Sequence, residues 1–353
     1  MRQLFSLENI LENTHLAEIC QNLASRAVII TDSNVEKLYG KAIKKALDAP
    51  IIAFPAGEQS KTRVTKEMIE DQMLESGMGR DSCIVALGGG VVTDLAGYVA
   101  ATYCRGIPFL SIPTTLLAMV DASIGGKTGV NVPQGKNLIG AFHPAHSIII
   151  DVKFLRTLSL DEYRNGLAEV VKHGLICDLE YFSEIEAHLD EIMARDEARL
   201  QSIVKRSYEI KSGIVSADEK EAGFRRILNF GHTIAHAIEI VSDYKISHGH
   251  AVAIGCIVEA FQAMRLGHLD QDEFLRIVWV FKALGFPLDL QLSPEPLLKV
   301  MGMDKKSLKG VPRFVMLEEL GKVLPFDGEF CTTLSPELVE DALQWMCHDL
   351  PRY

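Results

Sequence analysis

Cys83-Ile84-Val85-Ala86-Leu87-Gly88-Gly89-Gly90-Val91-Val92-Thr93-Asp94 is the stretch on which the architecture turns. Five apolar residues read as a buried strand, three glycines as a turn, and the rest as the opening of a helix. That order suits a pyrophosphate, because small residues let the backbone approach and free N–H groups meet the anion. The spacing is not GxGxxG, so an ordinary tight turn is the alternative reading. Working outward, apolar runs at Ala27–Ile30, Ile51–Phe54, Phe109–Ile112 and Ser147–Ile150 alternate with helical stretches such as Val64–Ser76. Such alternation predicts a mostly parallel sheet wrapped by helices. Asp32, just past the first run, is either an acceptor for a ribose hydroxyl or a helix cap.

From about Phe154 the pattern becomes helical, over Asp161–Leu175, Leu179–Met193, Ala198–Ser216, Ile227–Val241, Ala251–Leu266 and Asp272–Leu284. The expectation is therefore an α/β chain. A Rossmann-like parallel-sheet, nucleotide-binding domain covers 1–150, and an all-α metal- and substrate-binding domain covers 151–353.

Composition narrows the partners. The chain has 353 residues, 48% of them hydrophobic, enough for two cores. Its 36 basic against 47 acidic residues give a net charge of −11, which excludes a basic field for nucleic acid. An anionic small molecule needs only local cations and stays open. Seven scattered cysteines without a CxxC point to free thiols in a reducing, cytoplasmic compartment. No run reaches the ~18 apolar residues of a membrane span, and Met1–His15 lacks the apolar core of a signal peptide.

The polar stretch Arg105–Asn137 is unusual. It holds Ser111-Ile112-Pro113-Thr114-Thr115, then Asp121, and two Gly-Lys pairs ending at Lys127 and Lys136, nine residues apart. Glycine beside lysine lets an ammonium meet a dense anion at close range. The alternative is a solvated loop, and a Walker A frame fails because Asp121 stands where it needs glycine. In the helical half, Asn229-Phe230-Gly231-His232-Thr233-Ile234-Ala235-His236 puts two imidazoles at i and i+4 on one face. Ser247-His248-Gly249-His250 opens a further helix. Leu167-Ala168-Glu169-Val170-Val171-Lys172 sets a carboxylate in an apolar helix, costly unless paired or metal-bound. Several imidazoles and one carboxylate suit zinc or cobalt better than magnesium; two unrelated histidines are the plain alternative. Lys205, Lys211, Glu221, Arg225, Arg226 and Asp304-Lys305-Lys306 add charge around these motifs.

Taken together, Gly88–Gly106, Pro113–Gly140, Gly166–Gly174, Asn229–Glu239, His248–Gly255 and Asp304–Lys306 resemble the dehydroquinate synthase family, from about Gly57 to Gly321. The resemblance implies an NAD- and divalent-metal-dependent cyclising lyase acting on a small sugar phosphate, with zinc or cobalt, in a homodimer. It implies Glu169, His232 and His248 as metal ligands. His236 becomes a catalytic group on the substrate side, which revises the reading of both imidazoles of the pair as ligands. Glu221 matches an acid/base position, and Lys127 and Asn229 join the catalytic set. Substrate-binding positions are Arg105, Asp121, Lys127, Lys136, Asn137, Lys172, Lys211, Arg225 and one lysine of the 304–306 motif, Lys306 being favoured over Lys305. Nucleotide contacts match Asp32, Glu58, Lys61, Gly89, Gly90, Val91, Asp94, Thr114, Thr115, Phe154 and Thr157. Three residues depart from the pattern: Thr93 and Ala235 replace glycines, and His250 replaces a glutamate, placing one more imidazole near the expected metal. Three rivals stay open: a sibling carbasugar cyclase, a polyol dehydrogenase that would accumulate NADH, and a non-catalytic protein of the same fold.

Overall fold

The structure, a computed structural model, describes residues 4–7 and 15 by backbone alone, and residues 16–302 and 311–353. Asp304, Lys305 and Lys306, and most of the N-terminal fifteen residues, lie outside the described residues. The chain divides into two compact units, 1–159 and 160–353. The nine residues after the expected boundary at 150 belong with the first unit, as a 3-10 turn over Val152–Thr157.

The strands of the first unit are β1 (Leu4–Leu7), β2 (Arg26–Asp32), β3 (Ile51–Phe54), β4 (Ser82–Gly88), β5 (Phe109–Pro113), β6 (Lys127–Val132), β7 (Gly135–Phe142) and β8 (Ser147–Ile150). Its helices are α1 (His15–Leu23), α2 (Ser33–Val35), α3 (Lys41–Leu47), α4 (Arg63–Glu75) and α5 (Gly90–Thr102). Six strands form one parallel sheet in the order β1-β8-β5-β4-β2-β3. Five of these are the expected apolar runs. β4 is buried at all seven positions, as a central strand covered on both faces must be. The polar stretch is no solvated loop: its second half folds into the antiparallel β6–β7 hairpin. β3 lies on one side of β2, and β4, β5 and β8 lie on the other. The chain thus reverses direction between β2 and β4, which opens a crevice beyond their carboxyl ends, the usual place for a ligand in such sheets.

The second unit contains α6 (Leu160–Cys177), α7 (Leu179–Ala187), α8 (Leu189–Met193), α9 (Glu197–Ala217), α10 (His232–Val241), α11 (His248–Arg265), α12 (Gln271–Ala283), α13 (Pro294–Met301) and α14 (Pro336–His348). It adds one short antiparallel pair, β9 (Leu317–Glu319) with β10 (Lys322–Val323). Two helical expectations are corrected. The run 179–193 breaks at His188, which leaves helical backbone angles. The run 227–241 becomes a 3-10 turn over Phe224–Asn229, then α10 from His232. Gly231 makes the change of direction, at φ +78°, where a Cβ would lie 2.7 Å from the Cys256 nitrogen.

Candidate functional site

All eleven residues matched to the nucleotide follow the carboxyl end of one of five neighbouring parallel strands. Asp32 ends β2; Glu58 and Lys61 follow β3. Gly89, Gly90, Val91 and Asp94 follow β4, Thr114 and Thr115 follow β5, and Phe154 and Thr157 follow β8. The glycine turn is tight through close approach. A Cβ on Gly88 would lie 2.4 Å from Val92, and one on Gly89 2.9 Å from Thr115. Helix α5 starts with no side-chain cap, so its first N–H groups face the crevice with acceptors still to find. Thr93 does not disturb this start. It is buried, and its hydroxyl donates to the Gly90 carbonyl at 3.1 Å. Asp32 takes the cap reading: Oδ1 accepts from Asn34 and Val35 N–H at 2.8 and 3.0 Å.

A polar network links three loops of this edge. The buried Lys61 ammonium donates to Asp94 Oδ2 at 2.5 Å and Asn137 Oδ1 at 2.6 Å. Asn131 donates to Glu58 at 2.7 Å and accepts the Asn137 N–H at 2.9 Å. Burial pushes the Asp94 carboxyl up from its ordinary value, while Lys61 pulls it back. Asn137, expected on the substrate, is thus tied to two nucleotide-matched residues. Asn131 was not singled out in the sequence; its place between two Gly-rich segments was the only signal. Tyr39 was also missed. Its ring meets Phe154 edge-on at 4.7 Å and its hydroxyl bonds Thr157 at 2.5 Å. Lys127 is exposed at the start of β6, Lys136 is half-buried in β7, and Asp121 is half-buried in the turn before the hairpin. Arg105 stands apart from the network, exposed, in a run of left-handed backbone: Cys104 at φ +50°, Arg105 at +70° and Gly106 at +115°.

In the second unit α6 is buried along Asn165–Ile176, so its polar residues must find partners there. Glu169 is 1% exposed and both carboxylate oxygens are shut off from solvent. Lys172 Nζ pairs with its Oε2 and also donates to the Leu228 carbonyl at 2.8 Å. His232 Nε2 and His248 Nε2 both approach Glu169 Oε1, at 3.6 and 3.5 Å. Two ligands about 2.0–2.1 Å from one tetrahedral zinc lie roughly 3.4 Å apart, so three donor atoms converging at such separations fit a divalent cation. The rings are oriented from behind: His232 Nδ1 contacts the Phe230 carbonyl at 3.1 Å and His248 Nδ1 contacts Glu239 Oε2 at 3.5 Å. Such partners orient the two rings so that Nε2 is the atom each presents to Glu169. Burial would raise the Glu169 carboxyl, but Lys172 and the two imidazoles outweigh it and hold it well below the usual range. Burial would lower His248, but Glu169 and Glu239 draw it up to about 9. His236 does not join the three-residue cluster; its ring stands edge-on to His232, centroids 5.5 Å apart. His250 is corrected as well. It turns away to the Pro287 carbonyl, 2.6 Å from Nε2, rather than joining the other imidazoles.

The segment 218–229 presents the remaining polar groups. Glu221 sits at φ +59° and accepts from Asn229 Nδ2 at 2.8 Å. Arg225 and Lys211 are buried, and Arg225 donates to the Glu219 carbonyl at 2.8 Å. Asp218, unremarkable in the sequence, organises the loop by accepting from the N–H groups of Ala222, Gly223 and Arg225 at 2.8–3.1 Å. These backbone donors lower its carboxyl below the ordinary 3.8. A depressed carboxylate stabilises the folded loop above its unfolded value, and that contribution is lost as pH falls through the folded value. Asp218→Asn is therefore expected to loosen the loop at neutral pH and to flatten the stability profile below about pH 4. Proteolysis of the 218–229 segment and urea melts at pH 3–7 check this; an unchanged acid limb would refute it.

Comparison with known proteins adds identity to geometry. Two family models match, described as 3-dehydroquinate synthase N-terminal over 51–165 and 3-dehydroquinate synthase C-terminal over 166–307. A curated 3-dehydroquinate synthase of Thermoanaerobacter pseudethanolicus is 46% identical over 306 residues, covering 85% of this chain and 86% of that protein. Among solved structures, ValA, a 2-epi-5-epi-valiolone synthase of Streptomyces hygroscopicus subsp. jinggangensis 5008 with NAD+ and Zn2+ bound, superposes with TM-score 0.88 at 28% identity. That match covers 98% of this chain and 97% of the other. A 2-deoxy-scyllo-inosose synthase complexed with carbaglucose-6-phosphate, NAD+ and Co2+ follows, with TM-score 0.87, 26% identity and coverage of 96% and 95%.

Proposed function

The chain belongs to the 3-dehydroquinate synthase family, and from that premise we propose that it converts 3-deoxy-arabino-heptulosonate 7-phosphate to 3-dehydroquinate and phosphate, as an NAD- and divalent-metal-dependent cyclising carbon–oxygen lyase. The observation that carries the reading is the convergence of Glu169, His232 and His248 on one small volume. A zinc or cobalt ion held there would polarise the substrate hydroxyl, and NAD held along the carboxyl edge of the sheet would carry the hydride. With NAD bound, the chemistry it would support is transient oxidation of the substrate's secondary alcohol, elimination of phosphate, re-reduction and intramolecular aldol closure, with no net redox change.

This chain's own residues do the rest. Gly89, Gly90 and the first N–H groups of α5 receive the pyrophosphate. Lys127, Arg225 and a third cation neutralise the phosphate as it departs, and Lys306 belongs to the substrate-binding set. Lys136 and Asn137 orient the carboxylate end, and Arg105, Asp121, Lys172 and Lys211 complete the binding set. Glu221, steadied by Asn229, and His236 exchange protons with substrate oxygens. A positioned substrate loses ~10²-fold or more when it shifts by an ångström, so Lys136→Ala is expected to lower turnover at least that far. A urea melt of the variant separates this loss from loss of the fold. Full activity would remove Lys136 from the substrate site.

The defining experiment incubates the purified chain with the keto-acid phosphate, NAD and zinc or cobalt, following phosphate, cyclic product and absorbance at the NADH band. Equal phosphate and product without lasting NADH is the expected result. Accumulating NADH, or turnover of a carboxylate-free sugar phosphate alone, would overturn it. The 46% identity to a 3-dehydroquinate synthase against 26–28% to two sibling cyclases favours the acid substrate. Among the described residues no helix is long and apolar enough to cross a membrane. All seven cysteines are free, which supports a cytoplasmic, reducing setting. A homodimer completes the reading.

A further inference from the structure

Helix α11 opens at His248, and its first N–H groups need acceptors. The preceding Ser247 is a capping residue type, yet its side chain makes no cap bond. The acceptor comes from 84 positions earlier: Asn165 Oδ1, on α6, takes the Gly249 N–H. Asn165 is 8% exposed, and its amide nitrogen reaches Glu162 Oε2 at 3.5 Å, which sets the oxygen toward Gly249. The two backbones touch at this point. A Cβ on Gly249 would lie 2.2 Å from the Asn165 carbonyl oxygen and 2.5 Å from its Cα. Glu169 stands about one helical turn beyond Asn165 on α6, and His248 immediately precedes Gly249. The contact is the vertex from which carboxylate and imidazole both project.

We propose that Asn165 is a positioning residue: by capping α11 from a different helix, it sets the 3.5 Å separation between Glu169 Oε1 and His248 Nε2. The inference rests on the metal-centre reading above. Glu239 holds the rotation of the His248 ring from Nδ1; Asn165 holds the backbone from which the ring projects. Alanine at 165 is the better helix former, but it leaves the Gly249 N–H without its acceptor and lets the first turn of α11 slide on α6.

The test compares the unaltered chain with Asn165→Ala, Asn165→Ser and Asn165→Asp. Zinc affinity is measured by chelator competition, the visible absorption of the cobalt-loaded protein reports ligand geometry, and urea melts of the metal-free protein report stability. Loss of a group that orients a ligand costs metal affinity roughly 10–100-fold, and that loss is expected for Asn165→Ala and Asn165→Ser, with an altered cobalt spectrum. Asn165→Asp keeps an acceptor for the Gly249 N–H but gives up the amide contact with Glu162, so it should recover both in part. Asn165→Ser, whose short hydroxyl does not span the gap, serves if the alanine variant does not fold. A lower urea midpoint with unchanged affinity and spectrum would mean a cap without influence on the site, and would overturn the proposal. Failure of the unaltered chain to bind zinc or cobalt would instead defeat the metal-centre reading itself.

Discussion

Glu169→Gln is expected to purify without divalent metal and to release phosphate at ~1% of the unaltered rate or less, because a metal contributes several kcal/mol to such chemistry and each 1.4 kcal/mol is tenfold. Glutamine matches the shape of glutamate, so packing is preserved and only charge is removed. The site leaves little room for compensation. Glu169 supplies the sole carboxylate of the three-residue cluster, and both its oxygens are sealed from water. The substitution also takes its carboxylate away from the Lys172 ammonium, which is 1% exposed. Breaking one side of a buried ion pair costs about 3–5 kcal/mol, so the metal-free variant should melt in less urea than the metal-free parent. Elemental analysis, phosphate release and urea melts together test this. A variant that holds one equivalent of metal and turns over normally would remove Glu169 from the centre.

Lys61→Met is expected to have the second largest effect. It takes the ammonium from Asp94 and Asn137 together, and with it the tie joining the 58–61 turn, α5 and the β6–β7 hairpin. Asp94 would keep a carboxylate that burial already disfavours. Its side chain is 20% exposed, which sets the cost toward the low end of about 3–5 kcal/mol. A hydrogen bond to a charged group is worth about 1.5–3 kcal/mol, so NAD affinity should fall by ~10–100-fold as the turn beside the glycines loses its shape. Titration with NAD measures the effect. An unchanged dissociation constant would show that the network supports the hairpin alone.

Much of this protein was legible before its structure. The five strands announced themselves because a doubly covered parallel strand is a short apolar run, as in Ile84–Leu87, and the glycines behind it mark where backbones crowd. Glu169 stood out as a charge in an apolar helix, and His232 and His248 by their place in quoted motifs. The β6–β7 hairpin was not legible. Its residues are polar and glycine-rich, and Gly129 and Gly140 face each other so closely that a Cβ on either would strike the partner strand. Nor could position in the sequence show that His250, two residues from His248, turns to Pro287.

What the sequence determined alone was local: where strands, glycine turn and helices fall, and which residue types they carry. Periods of two and of 3.6 are set by neighbours within one element, so they can be read without knowing what lies opposite. The tertiary structure decided partnership. Asn165 and Gly249 are 84 residues apart, Lys61 and Asn137 76. An asparagine that caps a distant helix has the same local signature as one in water. Only the crossing of α6 and α11 turns it into a constraint on the site, because hydrogen bonds and ion pairs act across ångströms of space and not along the chain.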